Sequence, residues 1–209
     1  MVYLDDNVMT LLCGSSRSGK TYLLLHLLKY AFSNNKLKKD NGIIFSGTKF
    51  TDQFSNLGLS SKYIYDNSDD IPAIIDKFLE FIKKNKNKNQ RYYMIFDDML
   101  GDIKFQHKTI KHLLCNYRHY KISIFFTCQQ CSSLNSSLFK QQITHAFIFP
   151  CNFTKRSILN LYECCGYSFE NEKEFAEHIH KITNGQQYHC MFYDSTENDT
   201  NMRYQDYHA

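Results

Sequence analysis

Short apolar runs alternate along the chain with longer segments whose apolar residues recur every three or four positions. The runs lie at residues 7–13, 42–46, 62–65, 92–96, 121–127, 144–149 and 188–193. The longer segments lie at residues 20–32, 72–82, 105–117, 154–164 and 172–182. Runs that are apolar almost throughout are typical of parallel strands buried on both faces, and the intervening segments favour helices. The pattern predicts an α/β fold with a mostly parallel central sheet and helices on both of its faces.

Length and composition fit one globular domain. The 209 residues are 43% hydrophobic and 22% charged, which excludes an intrinsically disordered chain. We expect one folded domain at residues 1–194 and a polar C-terminal tail at residues 195–209, because the chain is polar from Ser195 onward.

Membrane and secretory segments are not predicted. The sequence has no run of 18 or more apolar residues and no basic stretch followed by an apolar one at its start. The eight cysteines are scattered, so we expect reduced and mostly buried thiols in a cytosol-like compartment. The net charge of +4 is compatible with a polyanionic partner but does not demand one.

Residues 14–21 fit the phosphate-binding pattern G-x-x-x-x-G-K-[ST] and lie between an apolar run and a helical segment. Glycines let consecutive backbone N–H groups face a phosphate, and the following helix adds its positive N-terminal end. Lys20 is expected to reach the β- and γ-phosphates of ATP, and Thr21 to bind Mg²⁺. The nucleotide-binding residues predicted here are Gly14, Ser15, Ser16, Arg17, Ser18, Gly19, Lys20 and Thr21.

Polar residues follow two later apolar runs. Asp97 directly follows the run at 92–96, so we assign it to Mg²⁺. Asp98 would then orient or deprotonate the attacking water, and the alternative is a residue that only caps the next turn. Gln129 follows the run at 121–127 and is the candidate sensor beside the γ-phosphate, with Gln130 as the alternative.

These three elements, in this order, resemble the FtsK–HerA superfamily of DNA-pumping ATPases. Within it the chain looks like the poxvirus-type genome-packaging ATPases of large DNA viruses and virophages. The resemblance rests on residues 14–21, 92–98 and especially 117–129, where an arginine precedes an apolar strand that leads into a glutamine. It continues more weakly through residues 154–159 and covers about residues 7–161.

The resemblance implies a RecA-like P-loop NTPase fold and a homo-oligomeric ring of five or six subunits. It implies ATP-driven, sequence-independent translocation of double-stranded DNA into a preformed capsid, with capsid vertex or portal proteins as partners and no membrane. Such a motor would act at the virus assembly site in the host cytoplasm or travel with the virion. Two departures matter: no separate nuclease domain is evident, and the second acid, Asp98, replaces the glutamate that many such motors carry.

A ring motor needs a cation from the neighbouring subunit to stabilise the transferring phosphoryl group, and arginine suits that role. The resemblance marks Arg118, just before the sensor strand, as the first candidate and Arg156 as the second. Arg17 lies inside the phosphate-binding loop and could contact phosphate or a neighbour. For each of the three, the alternative is a solvated surface arginine.

Two further features have a possible function but also an ordinary structural explanation. The basic loop at residues 83–91 could contact DNA phosphates, although such runs are usually solvated and this loop is expected at the edge opposite the nucleotide. Its cations are Lys83, Lys84, Lys86, Lys88 and Arg91, and Lys36, Lys38 and Lys39 form a second group. Cys128 and Cys131 have C-x-x-C spacing, but no second pair follows at zinc-finger spacing, which favours ordinary buried thiols.

Two other functional classes compete with the motor. A P-loop kinase would pass the γ-phosphoryl group to a small acceptor, but it usually carries an arginine-rich lid, and the sequence shows no such cluster. A regulatory NTPase would bind a partner without moving DNA. The Asp97–Asp98 pair and Gln129 favour water as the acceptor and therefore an ATPase.

Overall fold

The computed structural model describes residues 7–47, 54–85, 90–183, 188–200 and 202–208. Over these residues the strands are β1 (Met9–Cys13), β2 (Gly42–Ser46), β3 (Ile64–Tyr65), β4 (Tyr92–Asp97), β5 (Ile122–Cys128), β6 (His145–Ile148), β7 (His189–Asp194) and β8 (Tyr204–His208). The helices are α1 (Lys20–Ser33), α2 (Ile71–Lys84), α3 (Lys108–Asn116), α4 (Ser137–Gln142), α5 (Lys155–Cys165) and α6 (Glu172–Thr183).

Within the described ranges, the strands form one eight-stranded, mostly parallel sheet in the order β3-β2-β4-β5-β1-β6-β7-β8, flanked by helices. Strand β2 pairs in parallel with both β3 and β4, and β1 pairs in parallel with β6. The β6–β7 and β7–β8 pairs are antiparallel. The predicted fold class is confirmed, and the antiparallel strands are confined to one side of the sheet.

The chain divides into two compact units, and the first comprises Met1–Val8 with Leu24–Phe126. Its core contains a stack of three phenylalanine rings from successive strands. The ring centroids of Phe45 and Phe96 are 5.0 Å apart. Those of Phe96 and Phe126 are 4.7 Å apart, and these two rings are nearly parallel. Such offset aromatic contacts add to the burial of three large side chains and hold β2, β4 and β5 in register.

Helix α2 illustrates how the sequence forms this unit. Asp70 caps the helix by accepting a hydrogen bond from the Ala73 backbone N–H at 3.2 Å, and Pro72 fits the first turn because it needs no N–H partner there. The helix buries one stripe of apolar residues, which are Ile71, Ile75, Leu79 and Ile82. Their spacing of three and four positions is the pattern from which the helix was predicted.

The second unit comprises Met9–Leu23 with Thr127–Ala209. Its strands β6, β7 and β8 share an aromatic layer in which the ring centroids of Phe147 and Phe192 lie 4.7 Å apart and Tyr207 packs edge-on against Phe147. The Tyr204 hydroxyl donates a hydrogen bond to the Cys165 carbonyl at 2.6 Å, which ties β8 to the end of α5.

Two elements differ from the sequence-based expectation. The polar tail predicted from residue 195 is wrong for Tyr204–His208, which form β8 and pair with β7. Strand β8 is polar because it lies at the edge of the sheet and none of its side chains is fully buried, so it shows no apolar run. The short helix α4 was not predicted either, since its six residues span too few turns to show a period.

Two further features concern the cysteines and the apolar character of the helices. Six of the eight cysteines are buried and all eight are free thiols, as expected for reduced cysteines. Among the described residues, no helix combines the length and the apolar character that crossing a membrane requires.

Candidate nucleotide-binding site

The phosphate-binding loop connects β1 to α1 and is fixed to two other strands of its unit. The Gly14 N–H donates to the Cys128 carbonyl at the end of β5, at 3.2 Å. Ser15 donates from its backbone N–H and from its hydroxyl to the Pro150 carbonyl, at 3.3 and 3.0 Å. The Phe149 N–H in turn donates to the Cys13 carbonyl at 2.8 Å, so the loop begins where three strand ends meet.

Both glycines of the loop are required by close packing. A Cβ atom at Gly14 would lie 2.5 Å from the Phe149 Cβ, far inside contact distance. Gly19 has φ +109°, and a Cβ there would also lie 2.9 Å from the Tyr188 ring. Arg17, at φ 61°, is a non-glycine residue in the left-handed region, a strained conformation that is common at functional loops.

The side chain of Lys20 points into the phosphate-binding loop. Its side chain is buried, and its Nζ donates to the Gly14 carbonyl at 2.8 Å and to the Ser15 carbonyl at 2.6 Å. The Ser18 hydroxyl oxygen is buried and has no hydrogen-bond partner among the described residues. A buried ammonium group, a buried hydroxyl without a partner and a curled backbone ahead of a helix N-terminus fit a bound phosphate.

The acidic pair lies at the end of β4, in the other unit. Asp97 is buried and accepts a 3.4 Å hydrogen bond from the Ser46 hydroxyl, and its carbonyl accepts one from the Gly47 N–H at 3.3 Å. Asp98 is exposed and has φ 55°. The structure therefore separates the two carboxylates by environment: one is fixed and buried at the strand end, and the other projects toward solvent from a strained turn.

Gln129 and Gln130 follow β5 and are both exposed. The Gln129 carbonyl accepts a long 3.8 Å contact from the Cys151 thiol. The turn that follows, Cys131–Ser133, is held by Asn160, whose side-chain amide donates to the Cys131 carbonyl at 2.7 Å and to the Ser132 carbonyl at 3.3 Å. The backbone on both sides of Gln129 and Gln130 is therefore anchored.

The predicted arginines lie in different surroundings. Arg118 is exposed in the turn between α3 and β5, where its Nε donates to the Tyr117 hydroxyl at 3.0 Å. Lys121, the last residue of that turn, accepts through its carbonyl a 2.9 Å hydrogen bond from the Tyr92 N–H at the start of β4. Asp97 is the last of the six residues of β4, so about 17 Å of strand separates it from the end that carries Arg118.

Arg156 is exposed in the first turn of α5, which Thr154 caps by accepting from the Ser157 N–H at 3.2 Å. This helix follows the segment that holds the Ser15 N–H, so Arg156 belongs to the end of its unit that carries the phosphate-binding loop.

Of the predicted basic loop, Arg91 directly precedes β4 and so lies at the opposite end of that strand from Asp97. Lys83 and Lys84 are exposed in the last turn of α2, and the Lys83 Nζ lies 5.7 Å from the centre of the Tyr120 ring. Lys86 and Lys88 lie outside the described residues. In the second basic group, Lys38 and Lys39 are exposed.

Sequence reasoning missed a buried cation beside the sensor turn. The Lys140 side chain, only 8% exposed, donates to the Asn160 side-chain oxygen at 2.8 Å and pairs with the half-exposed Glu163. Lys140 thereby orients the same Asn160 that holds the turn after Gln130. Nothing in the local sequence singles out these residues, since they come from α4 and α5 and look like ordinary polar positions of surface helices.

The chain was compared with protein families and with known protein sequences. A family model described as poxvirus A32 protein matches residues 63–204, a range that contains both acids, both glutamines, Arg118 and Arg156 but begins after the phosphate-binding loop. A comparison with curated protein sequences finds no match.

Solved structures of packaging enzymes have the same fold. The genome packaging NTPase B204 from Sulfolobus turreted icosahedral virus 2, in complex with AMPPCP, is 19% identical with a TM-score of 0.67, over 98% of each chain. B204, the DNA-packaging ATPase from Sulfolobus turreted icosahedral virus, is 15% identical with a TM-score of 0.68, again over 98% of each chain. EssC (ATPases 2 and 3) from Geobacillus thermodenitrificans is 11% identical with a TM-score of 0.62, over 93% of this chain and 39% of that one.

Replacing Lys140 by methionine should lower the free energy of unfolding by about 1–3 kcal/mol, because the buried Asn160 oxygen and Glu163 lose their donor. Urea unfolding of the two proteins measures the difference. Lys173→Met is the matched control: its side chain is 85% exposed and makes only a 3.8 Å pair with Glu177, so its effect should stay within roughly 0.5 kcal/mol. Equal losses in the two variants would show that the buried Lys140 network does not stabilise the fold.

Proposed function

The chain belongs to the poxvirus A32 protein family, and we propose that it is an ATP-hydrolysing motor that translocates double-stranded viral DNA into a preformed capsid. The observation that carries the proposal is the phosphate-binding loop, with a buried lysine already turned onto its carbonyls, in a member of this family. The fold shared with B204, a packaging enzyme in two viruses, supports it.

ATP would bind with its phosphates over the loop of residues 14–21. Lys20 would exchange its two carbonyl partners for the β- and γ-phosphates, and the loop N–H groups and the Ser18 hydroxyl would donate to phosphate oxygens. Thr21 and Asp97 are the residues that would hold Mg²⁺. When bound, the ion would neutralise charge on the phosphates.

Hydrolysis needs a residue that positions the attacking water and accepts a proton from it. Asp98 is our candidate for this role. Asp98 is exposed and directly follows the buried Asp97 in the chain. Gln129, on the anchored segment after β5, would orient the same water or report the loss of the γ-phosphate. Gln130 is the alternative for this role.

The charge on the transferring phosphoryl group requires a further cation. The Lys121 carbonyl, three residues after Arg118, accepts from the N–H of Tyr92 at the start of β4, whereas Asp97 is the last residue of that strand. On this basis we propose that Arg118 serves the site of a neighbouring subunit, in a homo-oligomeric ring of five or six subunits. Arg156 is the second candidate.

The remaining partners follow from the proposed task. A pump must pass every sequence, so the contact with DNA would be to backbone phosphates and not to bases. Capsid vertex or portal proteins would dock the ring, at the virus assembly site in the host cytoplasm or within the virion. A kinase or a regulatory NTPase has no observation in its favour.

We expect ATP hydrolysis to rise on addition of long double-stranded DNA and to be unaffected by a nucleoside. DNA binding should be independent of sequence, with log affinity falling linearly as log salt rises, because contacts to phosphates release counterions. A coupled phosphate-release assay and a salt titration of DNA binding measure the two. Transfer of phosphate to a nucleoside would identify a kinase, and indifference to both additions would identify a regulatory NTPase.

Asp98→Asn should leave ATP binding intact and slow hydrolysis by about 10²–10⁴, the range expected for loss of a general base. Asparagine also tolerates φ 55°, so the backbone is preserved. Lys20→Ala should abolish hydrolysis. Asp102→Asn is the matched control, since Asp102 is an exposed carboxylate in the following turn. Wild-type turnover by Asp98→Asn would transfer the role to Asp97 or Gln129.

Arg118→Ala should bind ATP normally and hydrolyse it on the order of 10³–10⁵ times more slowly, as expected for an arginine finger. Mixing tests whether it acts in trans: Lys20→Ala subunits carry an intact Arg118, and Arg118→Ala subunits carry an intact phosphate-binding loop. Mixed rings should regain part of the activity. Mixtures that assemble but stay inactive would mean that Arg118 acts in its own subunit or not at all, and Arg156 would become the next candidate.

A further inference from the structure

Three cysteine thiols meet directly behind the phosphate-binding loop. Cys13 is the last residue of β1, Cys128 is the last residue of β5, and Cys131 begins the turn after Gln130. Their sulfur atoms all lie within 4.8 Å of one another, and the three residues are no more than 3% exposed. The fold thus supplies a third thiol to a C-x-x-C pair for which the sequence showed no partner.

We propose that Cys13, Cys128 and Cys131 form a binding site for a thiophilic metal ion, Zn²⁺ or Cu⁺. The Sγ atoms of Cys128 and Cys131 are 3.7 Å apart, close to the roughly 3.8 Å between two sulfurs bound tetrahedrally to zinc at about 2.3 Å. Soft thiolates select Zn²⁺ and Cu⁺ over the oxygen-seeking ions.

The three ligands are held in place by contacts beyond the sulfurs. The Gly14 N–H, next to Cys13, donates to the Cys128 carbonyl at 3.2 Å. The Asn160 amide, itself oriented by Lys140, holds the Cys131 carbonyl at 2.7 Å. Such outer contacts orient metal ligands and reduce the ordering cost of binding.

The number of ligands distinguishes the two ions. Three thiolates suffice for Cu⁺, whereas Zn²⁺ takes four ligands. Cys151 lies nearby, with its thiol 3.8 Å from the Gln129 carbonyl, but it is outside the group of three sulfurs that lie within 4.8 Å of one another. Zinc would therefore need a fourth ligand from Cys151, after a movement of its side chain, or from water.

Simple thiol chemistry is a weaker explanation of the cluster. All three thiols are almost completely buried, which keeps dissolved oxidants away from their sulfur atoms. A metal ion, by contrast, would displace the thiol protons, so its affinity should fall as the pH is lowered.

The proposed metal site lies between the phosphate-binding loop and the segment that carries Gln129 and Gln130. Cys13 immediately precedes Gly14, and Cys128 and Cys131 flank Gln129 and Gln130. An ion bound to all three sulfurs would cross-link the start of the phosphate-binding loop to the segment that carries the candidate sensor. It would stabilise both against local opening, in the way that structural metals hold small loops.

The test measures metal binding directly on the full-length protein, reduced and handled without oxygen. Equilibrium dialysis against Zn²⁺ and, separately, against Cu⁺ should give one ion per chain, with a rise in the unfolding temperature. Cys13→Ala and Cys128→Ala should each lower the affinity at least tenfold. Cys165→Ala is the matched control, because Cys165 is equally buried but lies outside the cluster, and it should bind as the wild type does.

Each outcome decides the proposal. Loss of zinc binding in Cys151→Ser with Cu⁺ binding retained would support the site and assign the fourth zinc ligand. Binding of neither ion by the wild type, or binding that survives in a folded Cys13→Ala protein, would overturn the proposal. Circular dichroism establishes that each variant is folded, and ATP binding measured in parallel keeps failure of this site separate from failure of the proposed ATPase.

Discussion

The hydrogen bonds that fix the start of the phosphate-binding loop are the constraint on which the candidate site depends. Gly14 is held by the end of β5 and Ser15 by the segment after β6, and both glycines pack too closely against Phe149 or Tyr188 for a side chain. A loop fixed in this way presents its N–H groups in one geometry before any ligand arrives. Binding then costs little ordering, because the fold has already met that cost.

The direction of β4 is a second constraint, within the unit that contains this strand. In the unit that contains β4, the acids lie where the strand ends and Arg118 lies near where it begins. About 17 Å of strand separates Asp97 from the end of β4 near Arg118, which is more than an arginine side chain spans. The role proposed for Arg118 therefore depends on a neighbouring chain.

The turn after Gln130 is held by buried polar groups and not by hydrophobic packing alone. Lys140, Asn160 and the three clustered cysteines converge on the turn after Gln130. A buried amide and a buried ammonium are stable only when they are hydrogen-bonded, so they specify one conformation of that turn. The segment with the candidate sensor is therefore anchored by side chains of other elements.

The sequence by itself determined the features that contiguous residues encode. The phosphate-binding loop, the strand that ends at Asp97 and the alternation of strands and helices all follow from local spacing, because a turn, a cap or a buried strand depends on neighbours along the chain. Strand order, the pairing of polar β8 with β7, the Lys140–Asn160 contact and the approach of Cys13 to Cys128 and Cys131 were decided only by the tertiary structure. These contacts join residues far apart in the chain, and their side chains meet because whole strands and helices pack, which no local period records.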